Sequence, residues 1–131
     1  MAQSVLILGE DPSKVNFSDP AIGPGMSADK VMAGLTGAVD EMKASGIEAE
    51  LCLVDLGETA EAVLTERLRS RCWDCIVVGA GLRVVPKHAL LFEALMNVIH
   101  QHAGTARLAF NGKPDETADA ARRQLAPRNT G

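Results

Sequence analysis

The stretch Trp73-Asp-Cys-Ile-Val-Val-Gly-Ala-Gly-Leu-Arg-Val-Val-Pro-Lys-His88 decides the fold. Asp74 to Val78 is a short apolar run, the pattern of a strand covered on both faces. A glycine loop with one arginine follows, then a proline just ahead of a long apolar helix. A strand that enters a helix through a glycine turn is how a parallel α/β sheet presents its ligand edge.

A second unbroken run, Val5-Leu-Ile-Leu8, ends in Gly9 and reads as another central strand. From Glu10 to Met26 the chain is a long loop carrying Pro12, Pro20, Pro24, Gly23 and Gly25. Loops of that length are mostly functional or mobile. A first helix is expected from Ser27, which can cap it, with Met26 and Val31 at hydrophobic-staple spacing. Val31, Leu35, Ala38, Val39 and Met42 recur at helical period, and Gly46 ends the run.

Ala49 to Val54 forms a strand that is more polar at its start, with Glu48 and Glu50, as an edge strand is. A helix over 58–70 follows, with Ala60, Leu64 and Leu68 on one face. A third spans Lys87 to His102, with Leu91, Leu95, Val98 and Ile99 inward. Its further apolar residues, Leu90, Phe92 and Met96, exceed what one face of a small sheet needs. Arg107 to Phe110 is short and reads as the other edge, Asn111-Gly-Lys-Pro is a turn, and a last helix runs from Asp115 to Leu125. Residues 126–131 are expected to be a disordered tail. No repeat or internal boundary interrupts 1–125, so that span reads as a single α/β domain.

Strand and helix alternate four times with no hairpin signal, which calls for parallel strands and right-handed crossovers. Two central and two edge strands give the order 2-1-3-4. The result is a three-layer αβα sandwich around a four-stranded parallel sheet, Rossmann-like or flavodoxin-like in topology. Helices one and four cover one face, and helices two and three the other. The chain reverses direction between strands one and three, so a crevice is expected at their C-terminal ends.

Composition narrows the function classes. The 131 residues carry a net charge of −4, with 14 acids and 8 bases over 1–106 and 3 acids and 5 bases over 107–131. An acidic body argues against nucleic acid. Aromatic residues are 3%, with no tyrosine, which disfavours base stacking and a flavin sandwich. No run is long enough for a membrane span, and the first residues read as a strand instead of a signal peptide, so the expected location is cytoplasmic. Cys72-Trp-Asp-Cys75 matches C-x-x-C but would close a helix and open a strand, away from the helix N-terminus that activates such thiols. With Cys52 the only other cysteine, neither a disulfide framework nor a zinc site is supported.

The candidate site lies where the two loops meet. Gly79 and Gly81 would let backbone N–H groups approach an anion, with Arg83, Lys87 and the helix N-terminus adding positive potential. The same residues equally make a tight strand-to-helix turn. His88 could be an acid or base near neutral pH, or simply begin a helix. Glu10, Asp11 and Asp19 could contact a polar ligand or a divalent cation, or could pair with Arg83 and Lys87 and pin the loop. Asn111 ends the neighbouring strand.

Signatures of several known architectures are missing. Gly9-Glu-Asp-Pro is not a dinucleotide fingerprint, Gly79 stands where a receiver domain has its aspartate, and the first loop lacks both a flavodoxin's phosphate-binding residues and the cysteine of a phosphotransferase IIB domain. The segments Asn16-Phe-Ser-Asp-Pro-Ala-Ile, Pro24-Gly-Met-Ser-Ala-Asp-Lys, Val77-Val-Gly-Ala-Gly-Leu-Arg and Ala109-Phe-Asn resemble a group of small bacterial proteins. That resemblance runs over nearly the whole chain and implies a compact Rossmann-like domain without an assigned activity.

The expected function is binding of an anionic or polar small metabolite between the two loops. Arg83, Lys87, Gly79 and Gly81 would hold the anion, Glu10, Asp11 and Asp19 would contact hydroxyls or a cation, and Asn111 would close the side. His88 and Glu10 are the candidates for proton transfer, and no cofactor is assigned. The rival expectation is a non-catalytic homo-oligomeric module using the surplus apolar residues of helix three. A homodimer or higher oligomer suits either.

Overall fold

Apolar runs become buried strands because a parallel sheet needs both faces covered. A computed structural model describes residues 2–20, 22 and 24–125, so the expected tail at 126–131 lies outside the described residues. Four strands form the sheet: β1 (Ser4–Glu10), β2 (Glu48–Val54), β3 (Cys75–Val78) and β4 (Arg107–Phe110). Four helices alternate with them: α1 (Ala28–Ala44), α2 (Ala60–Ser70), α3 (Ala89–His102) and α4 (Thr117–Leu125). The strand order is β2-β1-β3-β4 and every pairing is parallel. This is the doubly wound sandwich expected from the alternation.

Every residue of β1 and β3 is buried, as central strands must be. Their side chains alternate between two cores. Leu6, Leu8, Ile76 and Val78 pack with Leu64, Leu68, Leu95 and Ile99 of α2 and α3. Val5, Ile7, Cys75 and Val77 pack with Leu35, Met42, Ala118 and Ala121 of α1 and α4. The edge strands are more exposed, and β2 begins with an exposed Glu48. Arg67 of α2 donates to the Leu51 carbonyl of β2 and pairs with Glu50 at 2.5 Å, while Arg71 pairs with Glu48 at 3.2 Å. Half-exposed ion pairs of this kind stabilise little, but a side chain on a strand's free carbonyl blunts a sheet edge.

Helix ends follow their chemistry. The Ser27 hydroxyl accepts from the Lys30 amide at 3.2 Å and caps α1. Gly46 just beyond takes φ +84°, a left-handed conformation that glycine adopts without cost. Three expected helix starts shift, and α2 begins at Ala60, two residues after 58. Pro86–His88 and Pro114–Glu116 form 3-10 turns, so α3 and α4 begin two residues later than their patterns suggest. Proline fits that first turn because it has no N–H to satisfy. Strand β1 in turn reaches Glu10, two residues past its apolar run. Of the surplus residues on α3, Phe92 and Met96 pack against the α2–α3 core, and Leu90 is left 79% exposed.

Candidate functional site

The C-terminal ends of β1 and β3 open into a cleft of about 330 Å³. Its floor is Ile7, Leu8 and Gly9 of β1 with Gly79, Ala80 and Gly81 after β3. Val31 and Leu35 of α1 form one wall, and Asn111 to Pro114 after β4 contribute another part. The 10–26 segment supplies Val15, Phe17, Ile22, Pro24 and Met26. The loop is therefore an apolar cover over the sheet edge, a role its prolines and acids do not announce. The available signal was that Val15, Phe17 and Met26 had to be buried against something.

That cover is tied down by its polar groups. The Asp11 amide donates to the Val54 carbonyl of β2 at 2.8 Å, and Lys30 Nζ donates to the Gly25 carbonyl at 2.7 Å. The Asp11 carboxylate accepts from the Ser13 hydroxyl and amide at 2.8 and 2.9 Å, which hold it below the usual carboxylate range. Its role is to cap the 3-10 turn Pro12–Lys14. Asp19 meets Lys87 Nζ at 4.0 Å, joining the loop to the segment that enters α3.

The glycine turn is largely bonded within the protein. The Gly79 amide donates to the Leu8 carbonyl of β1 at 2.8 Å, and the Ala80 amide donates to Asn111 Oδ1 at 3.0 Å. The amides of Leu82, Arg83 and Val84 turn back onto the carbonyls of Gly79 and Ala80. A Cβ on Gly79 would lie 3.3 Å from the Leu8 carbonyl, so the close approach of β1 explains that glycine. Arg83 donates to the Asn111 carbonyl and lies over the Phe110 ring at 5.4 Å. It braces β4 and does not line the cleft.

Asn111 is buried and central to this arrangement. Beyond its bond to Ala80, its Nδ2 donates to Thr117 Oγ1 at 2.8 Å, and that hydroxyl donates to the Pro114 carbonyl at 2.7 Å. One side chain thus fixes the turn after β3 against the start of α4.

Glu10 is the charged group that reaches the cleft from the floor. It is 7% exposed, ends β1, and has no hydrogen-bond or ion-pair partner among the described residues. Burial pushes its carboxyl above the ordinary range, and positive charge on His88 and Lys87 draws it part of the way back. A Cβ on Gly81 would come within 3.3 Å of its Oε2, so the glycine leaves room beside the carboxylate. His88 sits at the start of α3, 8% exposed, with its buried Nδ1 unpartnered among the described residues.

The expected residues therefore divide into groups. Glu10, Gly79, Gly81 and Asn111 line the cleft, with His88 and Lys87 close enough to act on Glu10. Arg83, Asp11 and Asp19 stand outside the lining and brace its surroundings. Among the described residues no group of three or more His, Cys, Asp or Glu side chains could hold a metal ion. Cys52 and Cys75 are buried thiols raised by desolvation, Cys75 to about 12, and Cys72 is exposed. No described helix is long and apolar enough to cross a membrane. No protein-family model and no curated protein matches this chain.

Proposed function

We propose that the protein binds a small polar or anionic metabolite at the C-terminal edge of β1 and β3. The observation that carries this reading is the cleft itself, an apolar slot at the topological switch point with one buried carboxyl in its wall. Ligands of open α/β sheets bind at that position, and mostly apolar pockets with a few placed polar groups are the usual form. The apolar lining takes the body of the molecule. Glu10 and the turn at Gly79 and Gly81 meet its polar end, with Asn111 holding the turn in place. Arg83, Lys87, Asp11 and Asp19 act from outside, setting the potential at the mouth and fixing the cover. Glu10 and His88 are the titratable pair placed to move a proton on a bound molecule. A cytoplasmic location belongs to this reading, since unpaired thiols persist there. The resemblance to small bacterial α/β proteins adds a fold and no activity.

A thermal-shift screen against phosphate, carboxylates, amines, sugar phosphates, nucleotides and divalent cations tests it. A ligand at a hundred times its Kd stabilises by about 2.7 kcal/mol, a rise on the order of 10 °C for a domain of this size. Val84 lines the cleft and is 42% exposed, so Val84→Trp narrows it without entering the core. A hit that Val84→Trp abolishes supports the reading; a flat screen on folded protein counts against it.

A second reading, a homo-oligomeric module without a ligand, is favoured by exposed Leu90, Val84 and Phe110. All three stand on segments at the C-terminal side of β3 and β4.

A further inference from the structure

The cleft contains a charge that the fold does not satisfy. Most of the Glu10 residue is buried, yet its carboxyl oxygens have no protein donor among the described residues, and such a group is free to take a ligand's N–H. Glu10 lies in the cleft wall with its carboxyl unpartnered among the described residues, and Gly81 keeps the space beside Oε2 open. Most of the groups that would have received an anion are engaged elsewhere, the Gly81 amide and Lys113 excepted. Arg83 holds the Asn111 carbonyl, Lys87 meets Asp19, and the Gly79 and Ala80 amides hold Leu8 and Asn111. Lys113, the ammonium among the lining residues, is exposed. An anionic head pushed to the floor would meet Glu10 at close range, where like charges repel.

We propose that the occupant of the cleft is a small primary amine on an apolar body, seated with its ammonium on the Glu10 carboxylate. The inference rests on the cleft being a binding site, keeps the polar half of that reading in place of the anionic one, and names the head group that site selects. An ammonium offers three donors to a carboxylate that has spare acceptor capacity, and a charge-assisted bond of this kind is about twice as strong as a neutral one. The apolar body covers Val15, Phe17, Val31 and Leu35. His88 and Lys87, both on the segment entering α3, are the groups whose charge acts on Glu10. Lys87 is turned toward Asp19, and no hydrogen bond joins His88 Nδ1 to Glu10, so the carboxylate stays open to the ligand.

Titration of the full 131-residue chain with hexylamine, hexanol and hexanoate, followed by amide chemical shifts in NMR, tests the assignment. Hexylamine is expected to move the amides of Gly9, Glu10, Gly81 and Val31 and to bind roughly tenfold or more tighter than hexanoate, the discrimination of one charge-assisted hydrogen bond. Glu10→Gln should erase that preference while leaving hexanol binding in place, and Glu10→Asp should keep part of it. Hexylamine affinity should also fall as pH drops through the Glu10 titration, because the protonated acid has no charge to offer. Hexanoate binding tighter than hexylamine, or a hexylamine affinity that Glu10→Gln leaves unchanged, overturns the amine assignment while the cleft stands as a binding site. If none of the three probes moves the cleft amides of folded protein, the binding-site reading falls and the inference with it.

Discussion

Glu10 closes β1 at a point where the strand has outrun its apolar residues, and the strand's alternation places it on the same face as Leu6 and Leu8, with its carboxyl beside Gly81 at the cleft's edge. Burial raises its pKa, so the native state holds that proton more tightly than the unfolded chain does. Stability therefore falls as pH rises from the ordinary value of 4.5 through the raised native one, and the loss is complete above it. Glu10→Gln removes the cost. The variant is expected to melt higher than the parent at pH 7.5, with the difference closing near pH 4, where both states hold the proton. Equal melting temperatures at both pH values would show that the carboxylate is solvated after all. Asn111 behaves in the opposite way. Asn111→Ala leaves the Ala80 amide and the Thr117 hydroxyl short of a partner, at a cost of about 1–3 kcal/mol in urea unfolding. The residue types at this edge were legible in the sequence. Which of them would be used up on each other was not, because Arg83 finding Asn111, and Asp11 finding Ser13, depends on where the turns converge.

At the scale of elements, the helix α1 carries two glycines with opposite meanings. Gly37 faces open space, with nothing within 4 Å of the point a Cβ would occupy. A Cβ on Gly34, in contrast, would stand 2.8 Å from Pro114 Cβ and 3.2 Å from the Asp115 amide. Gly37→Ala should stabilise the protein by about 1 kcal/mol through helix propensity alone. Gly34→Ala should instead destabilise it by roughly 1–3 kcal/mol, because α1 and the turn before α4 must separate. Chemical denaturation of the two variants side by side measures the difference; a stabilising Gly34→Ala would mean that this contact yields easily. Both glycines look alike in the sequence. The elements themselves were legible because unbroken apolar runs and helical periods report burial directly, and the order of the strands followed from which runs were polar. The cover over the cleft was not, since Val15, Phe17, Ile22, Pro24 and Met26 follow no period and are united by the sheet edge they close over. Phe92 and Met96 were similarly ambiguous until α2 supplied a neighbour that takes them into its core.

For the whole molecule, the question is whether the C-terminal edge of the sheet meets a small molecule or a second copy of the chain. The two possibilities share Val84 and otherwise draw on different residues. The cleft is built by β1, β3, α1 and the loop over them, while exposed Leu90 belongs to the first turn of α3 and is absent from the cleft lining. At 79% exposure Leu90 contributes little to the monomer's core, so Leu90→Glu should change its stability by less than about 0.5 kcal/mol. Light scattering behind size exclusion then separates the readings. A parent dimer that becomes a monomer in Leu90→Glu, with hexylamine binding intact, assigns the apolar face of α3 to assembly and the cleft to a ligand. A parent that is already monomeric removes the assembly reading and leaves the unpartnered carboxyl in the cleft as the feature that the fold alone does not explain.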